Sequence, residues 1–194
     1  MDASDPSGAP RAPRLPDPPS RDAARERERL RAVLDALPIG IWVTDADGRQ
    51  VHTNPAAAAL FGGRVASVDG PGEYDRYVAR WPDGRRVEAH EWAMARVLAG
   101  APTVVAEPLV VEGFDGTERH ALNSAALLRA ADGTVLGGVA AMLDVTALRA
   151  AEGERERLLA ELTGERARFA ELVALAPAFI AVLRGPQLVV ELAN

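Results

Sequence analysis

Apolar residues at helical spacing mark a helix near the start of the chain. Residues 20–37 mix arginine and glutamate early, and later place apolar side chains at i, i+3, i+4 and i+7, at Leu30, Val33, Leu34 and Leu37. Ser20 is a suitable N-cap, and Pro38 ends the pattern. The sequence therefore predicts an N-terminal flanking helix with a solvated or partner-facing early half and a core-facing late half.

Strand patterns fill most of the region that follows. Residues 39–53 predict a hairpin that turns at Asp47-Gly48. Three further strand patterns, separated by Asp-Gly turns, occupy residues 103–112, 118–129 and 134–143. Gly137-Gly138 inside the last one indicates a bulge or a close backbone approach. An antiparallel meander is expected.

Short helices are predicted between these two groups of strands. Asn54-Pro55 opens one that ends at Phe61, with asparagine as the cap and proline at the first helical position. Residues 91–99 predict another, which ends at Gly100. Residues 62–88 show no clear periodicity apart from a turn that begins at Trp81.

A second long helix is expected over residues 147–176. Its apolar stripe is broken by Arg155 and Arg166, and Gly153 and Gly164 each weaken the helix by about 1 kcal/mol relative to alanine. The stripe consists of Leu148, Ala151, Leu158, Leu159, Leu162, Phe169, Leu172 and Val173. A stripe of this length predicts a coiled-coil-like connector and a homodimer formed through the flanking helices.

The two ends of the chain differ in kind. Residues 1–19 contain six prolines and almost no large apolar side chain, so we expect a disordered tail. Residues 172–194 repeat the pattern of residues 34–54: helix end, proline, apolar strand, turn, apolar strand, asparagine. The repeat breaks off early, and this predicts that the chain is the front of a longer protein.

The order of these elements resembles the PAS sensory domain family. The segments that carry the resemblance are LPIGIWVTDADGRQVHTNPAAAALFG, EWAMARVLAG and GTVLGGVAAMLDVT. It covers one complete copy, placed at residues 38–146, and the start of a truncated second copy at 177–194. The resemblance implies an α+β fold: a five-stranded antiparallel sheet with helices on one face, flanked by the N-terminal helix and the connector.

The resemblance also implies a function. PAS domains sense small ligands, redox state or light, or they dimerise, and they pass their state through flanking helices to an output domain. Tandem copies joined by a long helix are most similar to multi-PAS sensor histidine kinases of two-component systems. A diguanylate cyclase or phosphatase output stays open, as does a ligand-free dimerisation or protein-interaction module.

Composition narrows the chemistry of the 194 residues. The net charge of −6 offers no basic excess for a nucleic-acid backbone. The chain has neither cysteine nor lysine, which excludes thiolate chemistry, Schiff bases and a Walker-type phosphate loop. No catalytic constellation is present, so any enzyme activity is expected in the parent protein. No signal peptide or membrane-length apolar segment is recognised, which predicts a cytoplasmic protein.

Three residues around the 91–99 helix are candidates for a pocket. Some PAS domains bind haem through a histidine on the equivalent helix, which makes His90 a candidate, with a surface or capping histidine as the preferred alternative. Trp92 and Met94 suit the wall of a flat ligand such as flavin, and ordinary core packing is preferred for both. The cofactor is left open, with none as one alternative. No metal site is expected.

The junction between the last strand and the connector is the candidate for signal coupling. Asp144 and Thr146 lie there, and Thr146 is expected to cap the helix. In the PAS family, which the sequence resembles, this position couples the sheet to the exit helix. The main hypothesis is therefore a non-catalytic input module whose core changes how the sheet holds that helix.

Overall fold

The computed structural model describes residues 21–175, 181–184, 186–187 and 189–193. The predicted tail at 1–19, the predicted cap Ser20 and eight residues of the proposed repeat, Pro177 and Asn194 among them, lie outside the described residues. The chain divides after Leu37 into two units. The first contains helix α1, Arg21–Ala36, none of whose residues is buried.

A six-stranded antiparallel sheet forms the centre of the second unit. Its order is β2-β1-β6-β5-β4-β3. The strands are β1 Gly40–Asp45, β2 Gln50–Thr53, β3 Val78–Arg80, β4 Val104–Glu112, β5 Glu118–Arg129 and β6 Val135–Asp144. The predicted α+β architecture is confirmed, with one strand more than expected.

The additional strand is β3. Its three residues pair with Val110–Glu112 at the end of β4. A three-residue segment is too short to show the alternation by which strands are recognised in a sequence. Pairing with the edge of β4 holds this segment in an extended conformation. The sequence therefore predicted five strands instead of six.

Helices α2 Pro55–Leu60 and α3 Ala93–Leu98 pack on one face of the sheet. Two 3₁₀ turns accompany them, at Pro71–Arg76 and Ala89–Glu91. Helix α3 is shorter than the predicted 91–99, because Glu88 and Glu91 form a capping box around the second 3₁₀ turn and Trp92 adopts an extended ψ of 139°. The core lies between these helices and the sheet.

Asn54 joins the first hairpin to α2. Its side-chain oxygen accepts hydrogen bonds from the backbone N–H groups of Ala57, at 3.0 Å, and Ile41, at 2.9 Å. Its amide nitrogen donates to the carbonyl oxygen of Ile39 at 2.8 Å. One buried side chain thus caps the helix and holds the start of β1.

Two elements follow the sheet. Helix α4, Thr146–Ala174, is 29 residues long, and Val173 is its only buried residue. Strands β7 Ala181–Arg184 and β8 Val189–Ala193 form a separate antiparallel hairpin. The hairpin occupies the region that the internal repeat assigns to a second copy, and that assignment stays a prediction.

Candidate functional site

A small cavity lies between the sheet and α3. Its volume is about 50 Å³. Because a single water needs about 10–15 Å³ on this scale, the space suits a few waters or one compact molecule. The lining residues are all uncharged: Trp42, Thr44, Gln50, Phe61, Val68, Tyr74, Tyr77, Trp92, Met94, Asn123, Ala140 and Met142.

Strand alternation brings five of these side chains to one face of the sheet. Trp42 and Thr44 are two residues apart on β1, and Ala140 and Met142 are two apart on β6. Asn123 on β5 pairs with Met142 across the ladder. Residues at i and i+2 of a strand share a face, so these positions line the cavity together.

Aromatic rings form a second wall, which shares Trp42 with the sheet face. Trp42 meets Phe61 and Tyr77 edge-on, with ring centroids 5.8 and 6.1 Å apart, and Phe61 lies 4.8 Å from Tyr77. The indole N–H of Trp42 donates to the Tyr77 hydroxyl at 3.2 Å. The hydroxyl of Tyr74 donates to the Gly48 carbonyl at 2.8 Å, and burial raises the pKa of Tyr74 to about 12. This wall is rigid because its rings and hydroxyls constrain one another.

One buried polar group in the cavity lacks a partner among the described residues. Trp92 is 6% exposed, and its indole N–H has no hydrogen-bond acceptor there. Asn123, which is 2% exposed, is a second buried polar side chain in the lining. A buried donor without a partner carries a desolvation penalty of about 1–3 kcal/mol. The indole N–H of Trp92 is therefore available to a bound molecule.

A short chain of contacts connects the cavity to β6. The backbone N–H of Gly138 donates to the Thr44 hydroxyl oxygen at 3.2 Å, and that hydroxyl donates to the Met94 sulfur at 3.7 Å. A side chain at position 138 would collide with the Met94 sulfur. The expected close approach at Gly137-Gly138 is thus present, and it joins α3, β1 and β6.

His90 does not line the cavity. It is exposed in the 3₁₀ turn that precedes α3, whereas Trp92 and Met94 are buried and face the cavity. Haem or flavin does not fit this site: each is much larger than about 50 Å³, and the only histidine candidate lies outside. Within the described residues no group of three metal-ligating side chains occurs. The binding roles of His90, Trp92 and Met94 stay predictions.

The junction between sheet and exit helix differs in detail from the expected cap. The Asp144 carboxylate accepts the N–H of Thr146 at 2.8 Å, while the Thr146 hydroxyl oxygen accepts the N–H of His120 at 2.9 Å. The prediction that Thr146 caps the helix is wrong, because Val145 is the N-cap residue and Thr146 is already helical. Both Asp144 and Thr146 nevertheless hold the joint, and the carbonyl of His120 accepts from Val145 at 2.8 Å.

Sequence reasoning missed Asn123, Thr44 and the aromatic wall. Asn123 carries a recognisable signal, because it is a polar residue between Ala121 and Ala125 on the inward face of a strand. An asparagine among apolar inward positions indicates either a structural hydrogen bond or a binding group. The aromatic wall is assembled from three separate segments, and strand periodicity does not bring these together.

The fold and the sequence together identify the family. The model of the PAS fold family matches residues 34–150, more than half of the chain. The chain belongs to the PAS fold family. The resemblance seen in the sequence is confirmed, and the chain carries a PAS sensory domain of the kind found in signalling proteins, sensor kinases included.

Several solved PAS domains are similar to this chain. The PAS domain of an HTR-like protein from Haloarcula marismortui is 18% identical, with a TM-score of 0.46, covering 62% of this chain and 93% of that one. The PAS domain of Bordetella pertussis BvgS is 22% identical, with a TM-score of 0.41 and coverages of 73% and 98%. That of the fruit-fly ELK potassium channel is 13% identical, with a TM-score of 0.47 and coverages of 62% and 97%.

No relative of this chain was found among the curated proteins. Across the described residues, every helix is too short or too polar to cross a bilayer.

Proposed function

We propose that this PAS domain is the sensory input module of a signalling protein and that it detects a compact, uncharged molecule in its core cavity. The observation that carries the proposal is the unpartnered indole N–H of the buried Trp92, in a cavity that Asn123 also lines. A ligand with a hydrogen-bond acceptor would satisfy Trp92. Asn123 can donate or accept, so it would fix the orientation of that ligand.

The lining argues for a neutral ligand. No acidic or basic side chain lines the cavity. Burying an ion without a counter-charge costs far more free energy than burying a neutral group that can hydrogen-bond. The volume of about 50 Å³ limits the ligand to a few heavy atoms unless the aromatic wall moves.

The route to the exit helix follows from the contacts around the cavity. A molecule against Met94 would displace the sulfur that accepts the Thr44 hydroxyl, and Thr44 in turn accepts from Gly138 on β6. Strand β6 ends six residues later at Asp144, whose carboxylate holds the first turn of α4. In this proposal Asp144 and Thr146 are the coupling residues, and the ligand shifts the population of two ways of holding α4.

The output domain is proposed from the sequence pattern. The internal repeat and the long exit helix support a multi-PAS arrangement, and a cytoplasmic sensor histidine kinase of a two-component system is the output that we propose. Dimerisation through the flanking helices belongs to the same proposal. A diguanylate cyclase or a phosphatase remains the alternative output.

A second candidate function is a ligand-free dimerisation or interaction module. It is favoured by a specific observation: α4 exposes many large apolar side chains, among them Leu172, which is 70% exposed, and Phe169, which is 54% exposed. Under this reading the core cavity is a packing defect, and the surface of α4 is the functional part.

Ligand binding separates the two candidates. We would measure the thermal unfolding midpoint of the whole chain with matched pairs of neutral and charged compact molecules, acetamide against acetate and pyridone against pyridine carboxylate. The sensory proposal expects the neutral members to raise the midpoint. Mass spectrometry of the denatured purified protein would reveal a molecule retained from the cell.

Matched variants locate the effect. Trp92→Phe removes the unpartnered N–H together with part of the indole ring and should abolish the rise, whereas Trp81→Phe makes the same change outside the cavity and should preserve it. If no neutral probe shifts the midpoint and no retained molecule is found, the sensory proposal fails and the interaction module is favoured.

A further inference from the structure

The exposed face of α4 carries a regular seam. Large apolar residues recur at the first and fourth positions of successive heptads, and each is about half exposed or more: Leu148, Leu158, Leu162, Phe169 and Leu172. Ala151 occupies one further position of the seam. Helices with this spacing bury the seam against another helix. No described residue covers it.

Two charged residues interrupt the seam, and they have opposite signs. Arg155 occupies a first heptad position and Glu165 a fourth. Neither forms an ion pair within the described part of the chain, in contrast to Arg157, which pairs with Glu154 at 2.8 Å and with Glu161 at 3.2 Å. The seam therefore offers one unpaired cation and one unpaired anion, ten residues apart.

A parallel pairing of two α4 helices would bring identical residues together. Arg155 would face Arg155 of the second copy, and Glu165 would face Glu165 of the second copy. Like charges inside an apolar seam lose hydration without gaining a partner, which is strongly unfavourable. The flanks of a parallel pair offer one attraction, between Glu161 and Arg166 of the second copy, at the more solvated edge.

An antiparallel pairing centred on Ala160 removes both conflicts. Each residue then faces the one equally far on the other side of Ala160, so Arg155 lies opposite Glu165 of the second copy, twice per dimer. The apolar layers also match, since Leu148 faces Leu172 and Leu158 faces Leu162. The small Ala151 faces the large Phe169, which is the alternation that a packed seam needs.

The flank beside the fourth heptad positions supports the same orientation. In an antiparallel pair the residues beside the fourth heptad positions approach each other across the seam. Glu152 then lies near Arg166 of the second copy, and Leu159, which is 50% exposed, lies near its own counterpart. Charge complementarity in the seam and at this edge thus favours one occupant and one orientation.

We propose that a second copy of this chain covers the exposed seam of α4 in an antiparallel coiled coil, with Arg155 paired to Glu165 of the second copy. The inference rests on the dimerisation included in the proposed function and adds its orientation and register. A 29-residue helix is about 43 Å long, so the two chains leave the pair at opposite ends. Output domains that work side by side can meet only after this pairing opens.

Disulfide trapping in the full chain tests the orientation, because the chain contains no native cysteine. Chains with Leu148→Cys would be mixed with size-tagged chains with Leu172→Cys and oxidised. The proposal expects the mixed covalent dimer. It expects none from either variant alone, since two copies of position 148 would lie 24 residues, or about 36 Å, apart along the pair.

The other outcomes of trapping are distinguishable. A covalent dimer from Leu148→Cys alone shows a parallel pair, which overturns this inference and leaves the proposed dimerisation intact. Absence of all covalent dimers, together with a monomer in sedimentation, overturns both. Neither result bears on ligand binding in the cavity, which the unfolding midpoint measures separately.

Charge exchange tests the register. Arg155→Glu and Glu165→Arg are each expected to weaken self-association about tenfold or more, and the double exchange is expected to restore it. Glu156→Arg makes the same charge change as Glu165→Arg, but on the outer side of the helix. It should leave the dissociation constant of the dimer within about twofold of that of the unchanged chain. Single exchanges that leave this constant unchanged would overturn the proposed pairing.

Discussion

The sheet core and the exit helix obtain their stability in different ways. In the core, the side chains that line the cavity are held by rings, hydroxyls and backbone groups of the same chain, and Phe61, Val97 and Val111 are almost fully buried. Along α4 only Val173 is buried, and the large apolar residues face outward. The core buries its own apolar side chains, whereas the described part of the chain covers little of the apolar surface of α4.

This difference suits a sensor. Burial inside the core makes its free energy sensitive to a small molecule that fills a cavity or satisfies a buried polar group. A helix with few contacts of its own responds to a small bias at its first turn, where Asp144 holds the N–H of Thr146. The following substitutions and pH changes test the contrast between the two regions.

The largest effect is expected from Asn54→Ala in the core. The substitution leaves two backbone N–H groups and one carbonyl without their partner, and it removes the cap of α2. We expect a loss of about 3 kcal/mol in the free energy of unfolding, measured by urea titration. Asn54→Asp retains the accepting oxygen and should cost less; equal losses would contradict the role of that oxygen.

Gly138→Ala is expected to cost about 2 kcal/mol, because the new methyl group collides with the Met94 sulfur. A double-mutant cycle with Met94→Ala would isolate this contact. In the Met94→Ala background most of the cost of Gly138→Ala should disappear. Additive effects of the two substitutions would contradict the proposed coupling between the cavity and β6.

The exit helix should respond in the opposite direction. Gly153→Ala and Gly164→Ala place a methyl group in open space, so each should stabilise α4 by about 1 kcal/mol. Slower amide exchange along α4, with no change in the unfolding midpoint of the core, is the expected result. Unchanged signalling by the protein with both substitutions would count against an exit helix with two packings.

Alkaline pH tests the burial of the core hydroxyls. The chain has two tyrosines, and burial raises the pKa of Tyr74 to about 12 and raises that of Tyr77 above its ordinary value. A raised tyrosine pKa favours the neutral form, so its contribution to stability is complete below pH 10 and falls as the pH rises toward 12. Absorbance of tyrosinate should therefore appear late, and Tyr74→Phe should reduce the loss of stability above pH 10.

The smallest effect is expected at acid pH, on the turn that precedes α3. Arg85 and the N–H of Glu88 lower the pKa of Glu91 to about 2. A lowered carboxyl pKa stabilises the fold above the ordinary value near 4.5, and this contribution is lost as the pH falls from there toward 2. Glu91→Gln should flatten the pH dependence of the unfolding midpoint in this range. Identical profiles would place the acid sensitivity elsewhere.

Local patterns in the sequence were sufficient to predict most of the helices and strands of this protein. Asn54-Pro55, the Asp-Gly turns and the strand alternation predict α2, the hairpins and the meander, because caps, turns and period-two burial depend on neighbouring residues. The order of these elements was sufficient to indicate the PAS family. The apolar spacing of α4 was equally visible, since helical periodicity needs no tertiary information.

The residues that form the candidate site, and their hydrogen-bond partners, depend on the tertiary structure. Trp92 and Met94 were identifiable as pocket candidates. The exposure of His90, the pairing of β3 and the presence of Asn123 in the same cavity as Trp92 depend on contacts between distant segments. Thr146 illustrates the same limit: its hydroxyl oxygen accepts a hydrogen bond from His120 across the sheet instead of capping its own helix. A hydrogen-bonding group takes the partner that the fold brings near, and local sequence does not specify that partner.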